Sequence, residues 1–304
     1  MKSTFGFEDN PEITVEANPD DLEREYPERL LETGINRISI GIQSFDDHSL
    51  GKMNRRHNAR QAVQSVLHAS GAGFRNISID MIYGLPGMDT GTWVKNIEIA
   101  VQLPVNHISA YHLTFHEGTL FHRWLQKGSI REVSEEESIS QHENLVRLLS
   151  ESCFEQYEIS NFARNHAYSK HNCSYWTGKK YLGLGPSAHS FNGTSREWNS
   201  SDLNSYISAI QAGLPAFESE ILTPTDQLND YLITRIRTKW GISVDYIRNT
   251  FGEKICTNIT GSAGKYIENG CLKRVGDSIV LTSSGVMISD QITLNLMVEA
   301  PSPG

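Results

Sequence analysis

Closely spaced cysteines are missing from this chain. It has four, Cys153, Cys173, Cys256 and Cys271, in 304 residues, and no two stand at C-x2-C or C-x3-C spacing. Zinc and iron–sulfur sites built on short cysteine runs are thereby excluded for the residues present, and the four thiols are expected to be free and buried, in a reducing compartment. An excess of cations is missing too. Lys and Arg number 27 against 36 Asp and Glu, a net charge of −9, which argues against a nucleic-acid partner and leaves small ligands open. No apolar run approaches the ~18 residues of a membrane span, and the opening MKSTFGFEDN lacks the basic and apolar regions of a secretion signal. A cytoplasmic protein with weak or no membrane association is expected, and no internal repeat or low-complexity tract breaks its pattern.

What is present reads as alternating strand and helix. ITVEA leads into Asn18, Pro19, Asp20 and Asp21, where Asn18 suits a cap, Pro19 the first helical position and the acids the positive helix end, predicting one helix to about Glu32 that stops at Gly34. RISIGIQ follows as a strand, then a short helix opened by Asp46, the helix NARQAVQSVLHAS ended at Gly71 and Gly73, the strand ISIDMIYG, the helix TGTWVKNIEIAVQL and the strand HISAYHLT. Strands that read as apolar on both sides, separated by helices, call for a parallel sheet. Four βα units are fewer than a closed barrel needs. At about 30 residues per unit, two units, or about 60 residues, are expected upstream of Met1, leaving ITVEA beside an unusual edge.

The later chain is less regular. It offers the acid-capped helix SEEESISQHENLVRLLSES, a strand EQYEISNFA and the Gly- and aromatic-rich HNCSYWTGKKYLGLGPSAHSF. From Thr223 a periodic helix, TPTDQLNDYLITRIRTKW, precedes shorter helices and a strand pair, LKRVG and SIVLT, turning at Gly276 and Asp277. That order predicts a small winged-helix-like domain.

In a parallel α/β sheet the carboxyl ends of the strands converge on the ligand. Glu16, Gln43, Asp80 and Tyr111 each interrupt an apolar run there, and a buried carboxylate needs a partner. Two accounts stay open on the residues alone: a ligand satisfies them, or Glu16 and Asp80 form structural ion pairs with cations such as Arg37 or Arg55.

ITVEANP (Ile13 to Pro19), GINRISIGIQSF (Gly34 to Phe45) and SIDMIYGLPG (Ser78 to Gly87), in that order, resemble a radical SAM barrel of the oxygen-independent coproporphyrinogen III oxidase family. The resemblance implies that Glu16, Gln43, Arg55 and Asp80, with Tyr111 on a weaker match, bind S-adenosylmethionine. Arg55 suits the methionine carboxylate, Gln43 and Asp80 the ribose hydroxyls, and Glu16 the ribose or the ammonium. It also implies a [4Fe–4S] cluster on three closely spaced cysteines, whose electron cleaves the sulfonium and releases a 5′-deoxyadenosyl radical. Those cysteines and the Gly-Gly-Gly-Thr-Pro stretch are not in this sequence, so the chain as it stands is expected not to cleave S-adenosylmethionine. No catalytic residue is assigned.

YEISNFA (Tyr157 to Ala163), SKHNCSYW (Ser169 to Trp176) and YLGLGPSAHSF (Tyr181 to Phe191) are similar to the haem-chaperone branch of that family, HemW. Its H-N-x-x-Y-W pattern falls on His171, Asn172, Tyr175 and Trp176, which implies haem binding with His171 on the iron. On the residues alone, His171 and His189 equally suit hydrogen bonds within a Gly-rich loop, with Tyr175 and Trp176 packing a core.

The expected fold is α/β: a partial (β/α) radical SAM barrel, its first two βα units missing, with a small C-terminal winged-helix-like α+β domain. Residues 1–215 are expected to form the truncated barrel with a distal haem or substrate region, residues 216–298 the winged-helix-like domain, and residues 299–304 a disordered tail. The resemblance implies a haem-binding, haem-transferring protein with haem or porphyrin and a haem-acceptor protein as partners, and a homodimer among its expected assemblies. Two alternatives are an oxygen-independent coproporphyrinogen III oxidase, forming protoporphyrinogen IX by oxidative decarboxylation, and a metal-dependent barrel hydrolase using Glu16 and Asp80.

Overall fold

The computed structural model describes Gly6, residues 9–23 and residues 25–299. The chain divides into two compact units, Met1–Ser169 and Lys170–Gly304. The tail expected over 299–304 lies, beyond Glu299, outside the described residues.

The first unit runs β1 (Thr14–Ala17), α1 (Tyr26–Glu32), β2 (Arg37–Gln43), α2 (Asp47–Lys52), α3 (Ala59–Ala72), β3 (Ile77–Tyr83), α4 (Thr90–Gln102), β4 (His107–His112), α5 (Leu120–Gln126), α6 (Glu135–Glu151), β5 (Glu155–Glu158) and β6 (Asn161–Ala163). Its sheet has the order β1-β2-β3-β4-β6-β5, parallel across the first four strands and antiparallel from β4 onward. This is the partial barrel expected, with β1 at one margin of the sheet.

Two segments differ from the reading of the sequence. The helix expected from Pro19 to Glu32 is a 3-10 turn, Pro19–Asp21, followed by α1, and Asn18 makes no side-chain cap. Pro27 is the cause: it has no N–H to give and its ring would meet the carbonyl four residues back in a continuous helix, so it stands in the first turn of α1. The strand expected over EQYEISNFA is instead the hairpin β5–β6. The Glu158 carboxylate takes the Ser160 N–H at 3.0 Å and the Asn161 side-chain amide at 2.6 Å, turning the chain between the two short strands.

The strands of this sheet are apolar on one face only, which corrects the two-faced reading. Ile38, Ile40, Ile42, Ile77, Ile79, Met81, Ile108 and Ala110 point to the helices, while Arg37, Ser39, Ser78, Asp80, His107 and Ser109 alternate with them on the other face. The helices meet the apolar face with residues spaced i, i+3, i+4 and i+7: Ala62, Ser65, Val66 and Ala69 in α3, and Trp93, Asn96, Ile97 and Ala100 in α4. Each fully buried Ile or Met there contributes about 1.5–3 kcal/mol.

Local chemistry sets the helix ends. Asn58 and Gln61 form a capping box at the start of α3, which runs through Gly71 and ends at Gly73 in the left-handed region. Asp46 and Asp89 cap α2 and α4. Buried amides then tie down the loops leaving the strands. Asn96 Oδ1 accepts the Phe45 N–H at 2.6 Å, and Gln141 Oε1 accepts the Gly84 N–H at 2.9 Å.

The second unit continues α7 (Lys170–Trp176), β7 (His189–Phe191), β8 (Ser195–Asn199), α8 (Leu203–Ala212), β9 (Phe217–Ile221), α9 (Pro224–Ile236), β10 (Ile242–Ser243), α10 (Val244–Phe251), α11 (Glu253–Glu268), β11 (Leu272–Val275), β12 (Ser278–Leu281), α12 (Ser283–Val286) and α13 (Ser289–Leu296). β7-β8-β9 is an antiparallel meander, and β10-β12-β11 with α9, α10 and α11 is the winged-helix-like part. That part has its own core, including Leu228, Leu232, Ile236, Ile247, Ile259 and Ile279. Residues 170–215, placed with the barrel by the sequence, pack within this second unit. Of the four cysteines only Cys256 is buried; Cys153 is exposed and the other two are half-buried, which corrects the expectation of four buried thiols.

Candidate functional site

In the first unit the polar residues singled out in the sequence collect on the face opposite the helices. Parallel register sets Glu16 against Ser39, Ser39 against Ser78, and Asp80 against Ser109. The Ser39 hydroxyl lies 3.3 and 3.4 Å from the two Asp80 carboxylate oxygens. Burial pushes the Asp80 carboxyl above the usual Asp range; hydrogen bonds from Ser109 and Ser39 pull it back, and the neighbouring Glu16 charge adds to the rise. The Tyr111 phenol is raised first by burial and then by the Asp80 charge, which places it beside the same carboxylate. No ion pair joins Glu16 or Asp80 to Arg37 or Arg55 among the described residues. The partners of Asp80 are hydroxyls.

Gln43 ends β2 with φ of 65°, after a one-residue bulge in which Ile40 faces Ile79 but Gln43 already faces Met81. A left-handed non-glycine backbone at a bulge re-aims the side chain, here back over Gly41. A Cβ on Gly41 would stand 2.9 Å from Gln43 Nε2, 3.4 Å from Arg55 Nη2 and 3.8 Å from the carbonyl of Ala17. Arg55 is anchored by Nη2 alone, at 2.8 Å to Asn18 Oδ1 and 2.8 Å to the Gly41 carbonyl, leaving Nε and Nη1 without a hydrogen-bond partner among the described residues. Gln43 and Arg55 therefore gather at the Gly41 cradle, and Glu16, Asp80 and Tyr111 form an adjoining acidic cluster on the same face. Ser39, Ser109 and Gly41 were not singled out in the sequence. Their signal was the repeat Ile38-Ser39-Ile40, Ile77-Ser78-Ile79, Ile108-Ser109-Ala110, whose strict alternation marks a small, polar inner face.

The H-N-x-x-Y-W residues lie on α7 in the second unit. His171 and Tyr175 are one turn apart: the phenol oxygen is 2.9 Å from His171 Nε2, and the rings meet edge to face with centroids 4.9 Å apart. Asn172 follows His171 and is half-buried. Tyr175 meets Tyr181 edge to face at 4.8 Å, and Tyr181 lies tilted against Phe191 at 6.1 Å. Beyond them lies a cavity of about 650 Å³ whose wall includes Tyr175, Trp176, Tyr231, Trp240 and Tyr246. The expectation that Tyr175 and Trp176 only pack a core is corrected by this, since both face open space. His189 is exposed in β7 and is not part of this wall.

The donors for a metal cluster are not among these residues. No group of three or more His, Cys, Asp or Glu that could hold a metal ion occurs among the described residues. Neither a [4Fe–4S] cluster nor the divalent ion of the hydrolase reading has a ligand set here. No helix of the described residues is long and apolar enough to cross a membrane.

Comparison with known proteins reaches both units of the chain. The model of the radical SAM superfamily matches residues 3–99, and that of the HemN C-terminal domain matches residues 222–288. The chain is 31% identical over 285 residues to the heme chaperone HemW of Bacillus subtilis, covering 93% of this chain and 75% of that protein. It is 28% identical over 298 residues to heme chaperone HemW of Mycobacterium tuberculosis H37Rv, covering 98% and 74%. Over 181 residues it is 36% identical to the zebrafish mitochondrial radical S-adenosyl methionine domain-containing protein 1, covering 60% and 41%. The solved structure of coproporphyrinogen III oxidase (HemN) from Escherichia coli, a radical SAM enzyme, superposes with a TM-score of 0.81 at 19% identity, over 97% of this chain and 72% of that one, and so shares its fold. With its radical SAM match, its HemN-type C-terminal domain and its 31% identity to the Bacillus subtilis protein over 93% of its own length, the chain belongs to the HemW family of radical SAM proteins.

Proposed function

We propose that this protein binds haem through His171 and passes it to an acceptor protein in the cytoplasm, while the inner face of its first unit holds S-adenosylmethionine. The observation that carries the reading is the His171–Tyr175 pair, set on an exposed helix beside an aromatic cavity, in a chain matched over nearly its whole length by proteins named as heme chaperones. An imidazole is a strong ligand for haem iron, and aromatic rings cover a porphyrin face well. Iron would compete with the Tyr175 hydroxyl for His171 Nε2. That exchange suits a protein that must also release its cargo. Asn172 and Trp176 complete the motif on the same helix.

In the first unit Arg55 is held by one nitrogen and presents the others, a geometry suited to the methionine carboxylate of S-adenosylmethionine. Gln43 and Asp80 suit the ribose hydroxyls, Glu16 the ribose or the ammonium, and Tyr111 the rim. With a reduced cluster beside it, that cofactor would supply radical chemistry, which these residues would position. The cysteine run that would hold the cluster, and that the oxidase reading also requires, is not among these 304 residues, so no redox step is assigned to them.

Haemin titration tests the haem reading. The wild type is expected to give a saturable Soret shift at one haem per chain, and His171→Ala to weaken binding about tenfold or more, about 1.4 kcal/mol. Absence of saturable binding to the wild type would remove the proposal.

A further inference from the structure

Resting on the haem reading above, we propose that the cavity in the second unit is the seat of the macrocycle itself, and that Lys179 and Arg235 hold its two carboxylates. The cavity lies between α7, the β7–β8 ribbon and helices α9 and α10, and its volume of about 650 Å³ falls within the range of about 300–1,000 Å³ usual for small-molecule sites. Its walls are rings, with Tyr175, Trp176, Tyr181, Tyr231, Trp240 and Tyr246 among them. Tyr231 and Tyr246 stack at 4.4 Å on one side, and Tyr175 and Tyr181 meet at 4.8 Å on the other. Such walls select a flat, polarisable ligand.

The charges of the wall define the rest of that ligand. Three cations line the cavity, Lys179, Arg196 and Arg235, against one acid, Asp230. Arg196 is already taken: it pairs with Asp230 and, at 3.2 Å, with Glu220. Lys179 and Arg235 have no carboxylate partner among the described residues, and Arg235 instead lies over the Tyr231 ring at 5.7 Å. Lys179 is exposed and Arg235 half-buried, so both can turn to a ligand at the cavity mouth, and two cations without a carboxylate partner beside an aromatic wall are the complement of a planar dicarboxylate. The indole Nε1 of Trp176, buried without an acceptor, adds a further donor in the same wall. Tyr175 joins the two features, since its ring lines the cavity and its hydroxyl holds His171 Nε2. His171 itself is not part of the cavity wall, so a dicarboxylate tetrapyrrole seated here would meet it across Tyr175, with Lys179 and Arg235 at the carboxylates. Ring recognition and iron ligation are then separate functions of separate residues.

Metal-free protoporphyrin separates them, because it has the ring and the carboxylates but no iron. Binding is followed by porphyrin fluorescence, with the uncharged dimethyl ester as the control and the thermal midpoint of each variant as the check on folding. The wild type is expected to bind the diacid, and His171→Ala to bind it within about twofold of the wild type. The double variant Lys179→Gln, Arg235→Gln is expected to lose about tenfold or more for the diacid and to keep its affinity for the ester. Trp176→Phe, which keeps the ring and removes the donor, is expected to lose a smaller factor for the diacid alone. If the double variant binds the diacid as the wild type does, or loses diacid and ester alike, the carboxylate assignment is wrong. If His171→Ala abolishes binding of the iron-free ring, the cavity is not an independent seat. Either result can stand beside haemin binding that depends on His171, so this inference can fail while the haem reading survives, and the reverse holds for a protein that binds porphyrin but not haemin.

Discussion

His107 carries a clear pH signature among the single side chains. It is fully buried between Ser78 Oγ, 2.7 Å from Nδ1, and Tyr157 OH, 2.7 Å from Nε2, so a neutral ring satisfies both nitrogens. Burial, with the charge of Arg37 adding to it, lowers its pKa to about 3. The folded value lies below the unfolded one of about 6.5, so the unfolded chain binds the extra proton in acid. Stability from this group is complete above about pH 6.5 and is lost as the pH falls toward 3. Between pH 7 and pH 5 the loss is about 2 kcal/mol by linkage, and His107→Gln is expected to flatten the urea-unfolding profile by that amount. An unchanged profile in the variant would show that His107 is not held neutral. This network was invisible in the sequence, where His107 read as one more residue of an apolar strand. Glu16, Gln43, Asp80 and Tyr111 were legible because each broke an apolar run; the serines that hold Asp80 were passed over, because their alternation with apolar residues marks a face of the sheet and names no partner.

Secondary-structure elements show which local rules reach the functional face. The bulge at the end of β2 turns Gln43 over Gly41, and Gly41 leaves the room it needs. In Gly41→Ala the new Cβ would meet the far end of the flexible Gln43 side chain at 2.9 Å, so the side chain moves and the strand stays. The expected outcome is about a tenfold loss of S-adenosylmethionine affinity, about 1.4 kcal/mol, in equilibrium dialysis, with a thermal midpoint changed by only a few degrees. Equal affinity in wild type and variant would separate Gln43 and Arg55 from that ligand. α3, α4, α6 and α9 were read from the sequence as helices, and the structure adds their caps: Asn58, Asp89, Ser134 and Thr223 each accept a backbone N–H of the first turn. The break before α1 was also written in the chain, at Pro27. The positive φ of Gln43 was not, because it arises from pairing with β3 and has no local signature.

Across the molecule the described residues form two hydrophobic cores, one under the parallel sheet and one in the winged-helix-like part. The segment between them contributes few buried side chains: α8 has none and β9 is exposed throughout. Without a core of its own its place could not be read from hydrophobic pattern, which is why the division expected near residue 215 and the packing break at Ser169 differ. That segment brings the haem motif to the cavity wall, and the account turns on whether His171 ligates the iron. Cys173 lies two residues along α7, so a thiolate is the direct rival. Resonance Raman spectra of the ferrous haem complex decide between them. An iron–imidazole stretch is predicted in the wild type, absent from His171→Gly and restored to that variant by added imidazole. The same stretch surviving in His171→Gly, or a thiolate signature that Cys173→Ala removes, would contradict the account.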